Sequence, residues 1–157
     1  MVKLETFLKE KTEEITGKMG LPANVSVKES EKRTLVNIEP KDEADTPLLI
    51  GFHGQTLNAL QIILRTLAFK NFDESLSILV EAGGYREQRE EELRRRALEA
   101  ADKARFLLKE VSFPAMSSYE RRVIHVILSE EKGVKTESRG EGRERHIVVI
   151  PEGGKAK

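Results

Sequence analysis

Residues 49–61 read LIGFHGQTLNALQ: an apolar pair, a Gly-x-x-Gly turn and the start of a helix. Gly51 and Gly54 allow the backbone to turn tightly and to approach a partner without a Cβ clash. The first amides of a helix are unpaired and the helix dipole is positive there, so such a turn can hold a phosphate group. A bare Gly-x-x-Gly also occurs in ordinary turns, so a helix-capping turn without a ligand is the alternative interpretation.

The elements around this turn predict a helix-covered three-stranded sheet. Helical spacing predicts a first helix over residues 2–19, with the apolar positions Val2, Leu4, Phe7, Leu8, Ile15 and Met19. Next come strands at 24–30 and 33–39, an acidic loop at 40–47 and an apolar helical turn at 48–50. A helix over 55–70 and a strand over 76–82 complete the unit; the apolar face of that helix comprises Leu57, Leu60, Ile63, Leu64 and Leu67.

The second half predicts a separate α-β-α-β-β unit. A charged helix over residues 85–110 carries an apolar stripe made of Tyr85, Leu93, Ala97, Ala100, Ala101, Ala104 and Leu108. A short strand at 111–113 precedes a helix at 118–129, which Ser117 and Ser118 cap. The segments 134–138 and 146–150 form a β-hairpin around a glycine-rich turn. We therefore predict an α+β protein of two small domains.

The composition excludes several classes of site. There is no cysteine, which excludes disulfides, thiolate metal sites and cysteine nucleophiles. No apolar run is long enough for a signal peptide or a membrane span, so we expect a cytoplasmic protein. Lys plus Arg and Asp plus Glu number 27 each, so net charge predicts no polyanion partner. Eleven of the thirteen arginines nevertheless follow residue 85, and arginine forms a planar fork that suits phosphate.

A second motif lies in the helix predicted over 118–129. Arg121 and His125 are four residues apart, so on a helix they share one face. An arginine fork and an imidazole together suit a phosphate oxygen or a base edge. An isolated pair of this kind can instead form a surface hydrogen bond. The histidines have no metal-ligand spacing, and no motif predicts a cofactor or a catalytic centre.

The first unit resembles the type II KH domain over residues 1–83, and most closely at residues 49–61. In that family the Gly-x-x-Gly loop clamps the backbone of about four nucleotides of single-stranded RNA. Members that bind RNA usually carry a basic residue between the glycines. This chain has Phe52 and His53 there.

The second unit resembles the R-three-H domain over residues 86–152, which is associated with single-stranded nucleic acids. KH followed by R-three-H is similar to the bacterial Jag, or SpoIIIJ-associated, family, without its N-terminal Jag domain. The resemblance implies a KH-like domain at 1–83, an R-three-H-like domain at 84–152 and a flexible tail at 153–157. The family's name also suggests a protein partner at the membrane, a membrane insertase.

The resulting hypothesis is a non-enzymatic protein that binds single-stranded RNA, with single-stranded DNA as a second ligand, and acts as a post-transcriptional regulator or RNA chaperone. It needs no cofactor. The expected RNA-binding residues are Ile50, Gly51, Phe52, His53, Gly54, Gln55, Arg86, Arg89, Arg121 and His125. The main alternative is a protein–protein adaptor, linked to the insertase, whose KH fold has weak or lost RNA binding. An unrecognised hydrolase is a third, weaker alternative.

Overall fold

The computed structural model describes residues 2–72 and 76–153. The chain divides into two compact units, Met1–Arg86 and Glu87–Lys157. Both units mix helices with a three-stranded sheet, so the predicted α+β class is confirmed. Of the flexible tail predicted at 153–157, residues 154–157 lie outside the described residues.

The first unit is a three-stranded sheet packed against helices. Its elements are α1 (Leu4–Lys18), β1 (Ala23–Glu29), β2 (Thr34–Pro40), α2 (Thr46–Ile50), α3 (Gln55–Phe72) and β3 (Ile78–Ala82). The central strand, β2, pairs antiparallel with β1 and parallel with β3. A parallel pair needs a long crossover connection, and α2 and α3 provide it.

One face of this sheet forms the core of the first unit. Alternate residues of a strand point to the same face, and Val25 and Val27 of β1 and Val36 and Ile38 of β2 are accordingly buried. The α1 and α3 helices cover them with Leu8, Leu57, Leu60, Leu64 and Ala68.

The apolar face predicted for α1 is wrong at its two ends. Val2 and Met19 are exposed. The buried face instead includes Thr12 and Thr16, whose hydroxyls donate to the backbone oxygens of Leu8 at 2.6 Å and Thr12 at 3.0 Å. A threonine that bonds back along its own helix can be buried without leaving its hydroxyl unpaired, and hydrophobic spacing alone does not reveal this.

Two further predictions differ from the structure in the first unit. Part of the predicted loop at 40–47 is helical, because a 3₁₀ turn over Glu43–Asp45 leads directly into α2. Asp42 caps that turn, and Pro47 lies in the first turn of α2, where proline is well tolerated. Ile63 of α3 is 44% exposed, because the buried face passes through Leu64 and Ala68 instead.

The second unit packs two helices against an antiparallel sheet. Its elements are α4 (Tyr85–Leu107), which begins with the last two residues of the first unit, β4 (Val111–Ser112), α5 (Ser118–Ser129), β5 (Val134–Arg139) and β6 (His146–Pro151). The sheet order is β4-β6-β5. The core comprises mainly Leu93, Ala97, Ala101, Ala104, Ile124, Leu128, Val134, Ile147 and Val149.

The ends of the two helices in this unit show why one boundary was predicted well and the other was not. Ser117 accepts a hydrogen bond from the backbone N–H of Glu120 at 3.2 Å, which confirms the predicted cap of α5. Leu108, predicted on the apolar stripe of α4, lies beyond the end of that helix and is exposed. Its φ of 53° is the left-handed conformation in which helices commonly end.

Within residues 2–72 and 76–153, no helix has both the length and the apolar character needed to cross a membrane. Those same residues contain no group of three or more His, Cys, Asp or Glu side chains arranged to hold a metal ion.

We expect Ile38→Ala to destabilise the first unit, because Ile38 is 0% exposed at the centre of the sheet. The loss should be about 2–5 kcal/mol of unfolding free energy. Ile62→Ala is the matched control, since Ile62 is 63% exposed on α3, and it should change the free energy by at most about 0.5 kcal/mol. Amide hydrogen exchange of β2 in the whole chain measures both; equal effects would contradict the core assignment.

Candidate nucleic-acid interface

The Gly-x-x-Gly turn joins two helices through an unusual backbone path. The short helix α2 ends at Ile50, a 3₁₀ turn covers Phe52–Gly54, and α3 begins at Gln55. Gly51, His53 and Gly54 have φ values of 73°, 50° and 80°. The positive end of the α3 dipole therefore lies directly at this turn.

Glycine is needed at both positions for two reasons: the φ angle is positive, and neighbouring atoms leave no space for a Cβ. A Cβ on Gly51 would lie 2.8 Å from the backbone nitrogen of Thr56 and closer still to its hydroxyl oxygen. A Cβ on Gly54 would lie 2.8 Å from a ring carbon of Tyr85. Neither position has room for a side chain, so the turn is held against α3 on one side and Tyr85 on the other.

The residues between and beside the glycines differ in exposure. Phe52 is 70% exposed and stacks on the imidazole of His53, with ring centroids 4.0 Å apart and an interplanar angle of 18°. Gln55 is exposed at the first position of α3. Ile50 is only half-buried, but it packs against the core of the first unit. The exposed apolar surface of the turn is therefore the ring of Phe52.

Arg86, predicted to contact RNA, has its guanidinium bound within the first unit. Its Nε donates to the backbone oxygen of Val80 at 2.8 Å, and its Nη2 donates to Asn58 Oδ1 at 3.1 Å and Gln61 Oε1 at 3.3 Å. Gln61 Oε1 also accepts from the backbone N–H of Val80 at 3.0 Å. Arg86 and Gln61 thus form hydrogen bonds with the backbone C=O and N–H of Val80, respectively. Val80 lies on β3, an edge strand of the sheet.

Two other side chains also form hydrogen bonds with the backbone of the edge strand β3. Arg65 Nε donates to the backbone oxygen of Ile78 at 3.0 Å, and Glu81 Oε1 accepts from the N–H of Ala82 at 2.8 Å. An edge strand with free N–H and C=O groups is a template for pairing with another chain. We therefore assign Arg86 to edge protection and leave it out of the interface proposed below.

Arg89, also predicted to contact RNA, forms a largely buried ion pair that joins α4 to α5. Its Nε lies 2.6 Å from Glu120 Oε1, and the two side chains are 11% and 3% exposed. Its Nη1 is also paired, with Glu92 at 3.0 Å. A charge this deeply buried needs a partner of opposite sign, and Arg89 is the partner of Glu120. We leave Arg89 out of the interface for this reason.

Arg121 and His125 lie on α5, one turn apart, in different environments. Arg121 is half-buried, and its Nε and Nη1 are enclosed without a hydrogen-bond partner among the described residues. His125 is exposed, and its Nδ1 lies 2.6 Å from Thr136 Oγ1 on β5. The Thr136 contact orients the imidazole ring. Two Arg121 nitrogens therefore have donor capacity that no residue in the described part of the chain uses.

Sequence reasoning missed contacts of three residues that shape these sites. Thr136 was not singled out because its position opposite His125 depends on how the hairpin packs on α5. Glu120, in the first turn of α5, was not singled out as a buried residue, although it is 2% exposed. Tyr85 was assigned to the stripe of α4 as a packing residue; it does pack, but against the core of the first unit, with its ring beside Gly54. None of these contacts has a signal in local sequence spacing.

A groove of about 480 Å³ lies on the second unit between α4 and α5. Its lining residues are Glu87, Glu90, Glu91, Arg94, Tyr119, Arg122, Val123, Val126 and Ile127. Glu90 accepts a hydrogen bond from the Tyr119 hydroxyl. The charged residues that line the groove are three glutamates and two arginines, so the groove carries a net negative charge and we do not assign it to the RNA backbone.

Comparison with known proteins identifies the second unit. Residues 91–151 match the R-three-H domain family, so the resemblance of this half of the chain to that domain is confirmed. The matched segment begins within α4 and ends at the last residue of β6. It therefore includes Glu120 of the buried ion pair, the half-buried Arg121 and the exposed His125.

Two bacterial proteins, each named RNA-binding protein KhpB, are similar to most of the chain. The one from Clostridium symbiosum is 33% identical over 137 residues, which cover 87% of this chain and 61% of that relative. The one from Bacillus subtilis (strain 168) is 35% identical over 145 residues, which cover 91% of this chain and 66% of that relative. The chain thus spans slightly less than two thirds of the length of either relative.

Gly54→Ala should destabilise the first unit more than Gly84→Ala does. Both glycines have positive φ, 80° and 66°, where alanine costs about 1–2 kcal/mol. Only Gly54 also has a close neighbour, the Tyr85 ring, and the clash should add about 1–3 kcal/mol. Thermal denaturation of the two variants measures the difference. Equal losses would mean that Tyr85 moves aside without cost.

Arg89→Met should destabilise the second unit by about 3–5 kcal/mol, because it leaves the Glu120 carboxylate buried without its partner. The matched control is Arg95→Met, which breaks the exposed Arg95–Glu99 pair and should cost at most about 0.5 kcal/mol. Urea denaturation followed by hydrogen exchange of β6 reports on this unit. A small effect of Arg89→Met would show that water or another cation reaches Glu120.

Proposed function

Because the chain belongs to the Jag (SpoIIIJ-associated) family and contains its R-three-H domain, we propose that it binds single-stranded RNA without catalysing a reaction. The relatives are named for RNA binding, which favours RNA over the adaptor alternative. In this proposal the protein acts on RNA as a post-transcriptional regulator or RNA chaperone. The helix face of Arg121 and His125 and the Gly-x-x-Gly turn are the two contact sites.

Two guanidinium nitrogens of Arg121 that lack an acceptor among the described residues are the observation that carries the proposal. Its enclosed Nε and Nη1 lack acceptors among the described residues. A buried donor without an acceptor costs about 1–3 kcal/mol, and more when the group is charged. A phosphate oxygen is an acceptor that matches the planar fork of arginine. Because both nitrogens are enclosed, the half-buried side chain has to turn outward to reach it, and that contact would relieve this cost.

His125 extends this site by one helical turn. Its Nδ1 is held by Thr136, and its Nε2 makes no hydrogen bond to another described residue. That nitrogen can therefore contact a second phosphate oxygen or the edge of a base. Arg122, the next residue after Arg121, is exposed on a different side of α5 and lines the acidic groove.

The Gly-x-x-Gly turn is the proposed second contact site. In a KH-like unit the backbone of this turn lies along the sugar–phosphate chain, and glycine allows the close approach. We propose that Gly51, Gly54 and the first residues of α3, beginning with Gln55, contact that chain. Two weak sites on one polypeptide raise each other's effective concentration, so neither needs high affinity alone.

Fluorescence anisotropy of a labelled oligonucleotide tests the proposal directly. Single-stranded RNA, single-stranded DNA and duplex RNA of equal length are titrated at several salt concentrations. We expect binding to single-stranded RNA, with an affinity that falls as salt rises, because phosphate contacts release counterions. A chain that binds none of the three at low salt would refute the proposal and favour the adaptor alternative.

Arg121→Ala should weaken RNA binding by about 1.5–3 kcal/mol and lower the salt slope by about 0.7, the value for one phosphate contact on a single strand. His125→Ala should also weaken binding, and should add little to the loss in the double variant if the two residues act as a pair. Arg122→Ala is the control of equal charge and should do less. Circular dichroism establishes that each variant is folded. Equal, small effects of all three would mean that Arg121 and His125 are structural.

A further inference from the structure

The Gly-x-x-Gly turn presents a pair of stacked rings at the protein surface. The His53 imidazole covers one face of the Phe52 ring, at 4.0 Å between centroids and 18° between planes. Phe52 is nevertheless 70% exposed. The other face of the Phe52 ring is therefore open to solvent.

This arrangement is not a by-product of core packing. The hydrophobic cluster of the first unit includes Leu49, Ile50 and Tyr85 on either side of the turn, and Phe52 is outside it. His53 adopts a left-handed conformation, with φ 50° and ψ 34°, which is uncommon for a residue with a side chain. The turn thus holds an aromatic pair outside the core at the cost of an unfavourable backbone conformation.

We propose that the open face of Phe52 stacks on one unpaired nucleobase of the bound RNA. This inference rests on the proposed RNA-binding function and specifies the contact made at the Gly-x-x-Gly turn. Every nucleobase has a π-face, so an aromatic ring binds bases with little sequence preference. The turn adjoins the N-terminus of α3, where a phosphate is favoured, so one nucleotide can contact both the ring and the helix end.

The pair gives this turn a mode of recognition different from that of a charged loop. A cationic side chain between the glycines would attract phosphate in any nucleic acid. A stacking ring needs a base that is free on at least one face, and the internal bases of a duplex are stacked on both faces. Phe52 therefore favours single strands over duplexes, and does so by an interaction that salt weakens little.

The absence of tryptophan from the chain makes the contact directly observable. Phe52→Trp introduces the only indole, whose fluorescence is quenched when a base stacks on it. The probes are a short oligoadenylate and an abasic ribose-phosphate oligomer of the same length. We expect oligoadenylate to quench the indole of the Phe52→Trp chain and to bind it at least as tightly as it binds the parent. The abasic oligomer should bind without quenching.

A second variant separates stacking from backbone contact. Phe52→Leu keeps an apolar side chain but removes the ring, and should weaken binding of oligoadenylate about tenfold while leaving binding of the abasic oligomer unchanged. Phe69→Leu is the matched control, since Phe69 is also exposed, at 57%, but lies on α3 away from the turn. It should change neither affinity.

The outcomes distinguish this inference from the proposed function. If the parent binds oligoadenylate but Phe52→Leu binds it equally well, or loses both probes to the same degree, stacking is refuted and RNA binding stands. Binding of oligoadenylate to Phe52→Trp without quenching also refutes stacking. If the parent binds neither probe, the proposed function fails and the inference fails with it.

Discussion

Steric exclusion around Gly51 and Gly54 is the constraint on which the first unit's candidate site depends. Thr56 occupies the space where a side chain on Gly51 would lie, and the Tyr85 ring does the same at Gly54. Both ends of the turn are therefore closely packed and leave no room for a side chain. Between these packed ends, His53 lies in the left-handed region and Phe52 lies on the outside. Close packing thus acts together with the turn's own backbone hydrogen bonds, in which the N–H of Gly54 donates to the oxygen of Gly51 at 3.3 Å.

Arginine illustrates how the same side chain serves opposite purposes in this protein. Arg86 binds a backbone carbonyl and two side-chain amides, and Arg89 binds two carboxylates. Each therefore stabilises its own unit. Arg121 differs, because two of its nitrogens are enclosed without an acceptor among the described residues. The concentration of arginine after residue 85 was a correct observation, but it does not distinguish an arginine that joins two helices from one available to a ligand.

The elements themselves followed well from local patterns. The apolar period of α3, the serine cap of α5 and the alternation in β1 and β2 each lie within one segment, and each was predicted close to its observed bounds. The errors fall where burial depends on a distant neighbour. Ile63 was assigned to the core and is exposed, whereas Thr12 and Thr16 are buried because their hydroxyls bond to their own helix.

The sequence by itself determined the α+β class, the Gly-x-x-Gly turn before α3 and the spacing of Arg121 and His125, because helical period, glycine and capping residues act over a few neighbouring positions. Only the tertiary structure decided which polar groups are satisfied. Glu120 reaches Arg89 across 31 residues of chain, and Arg86 reaches Asn58 across 28. Such partners are selected by the packing of whole helices and strands. A charged group that is buried without a partner is costly, and no local sequence pattern shows which groups the packing will bury.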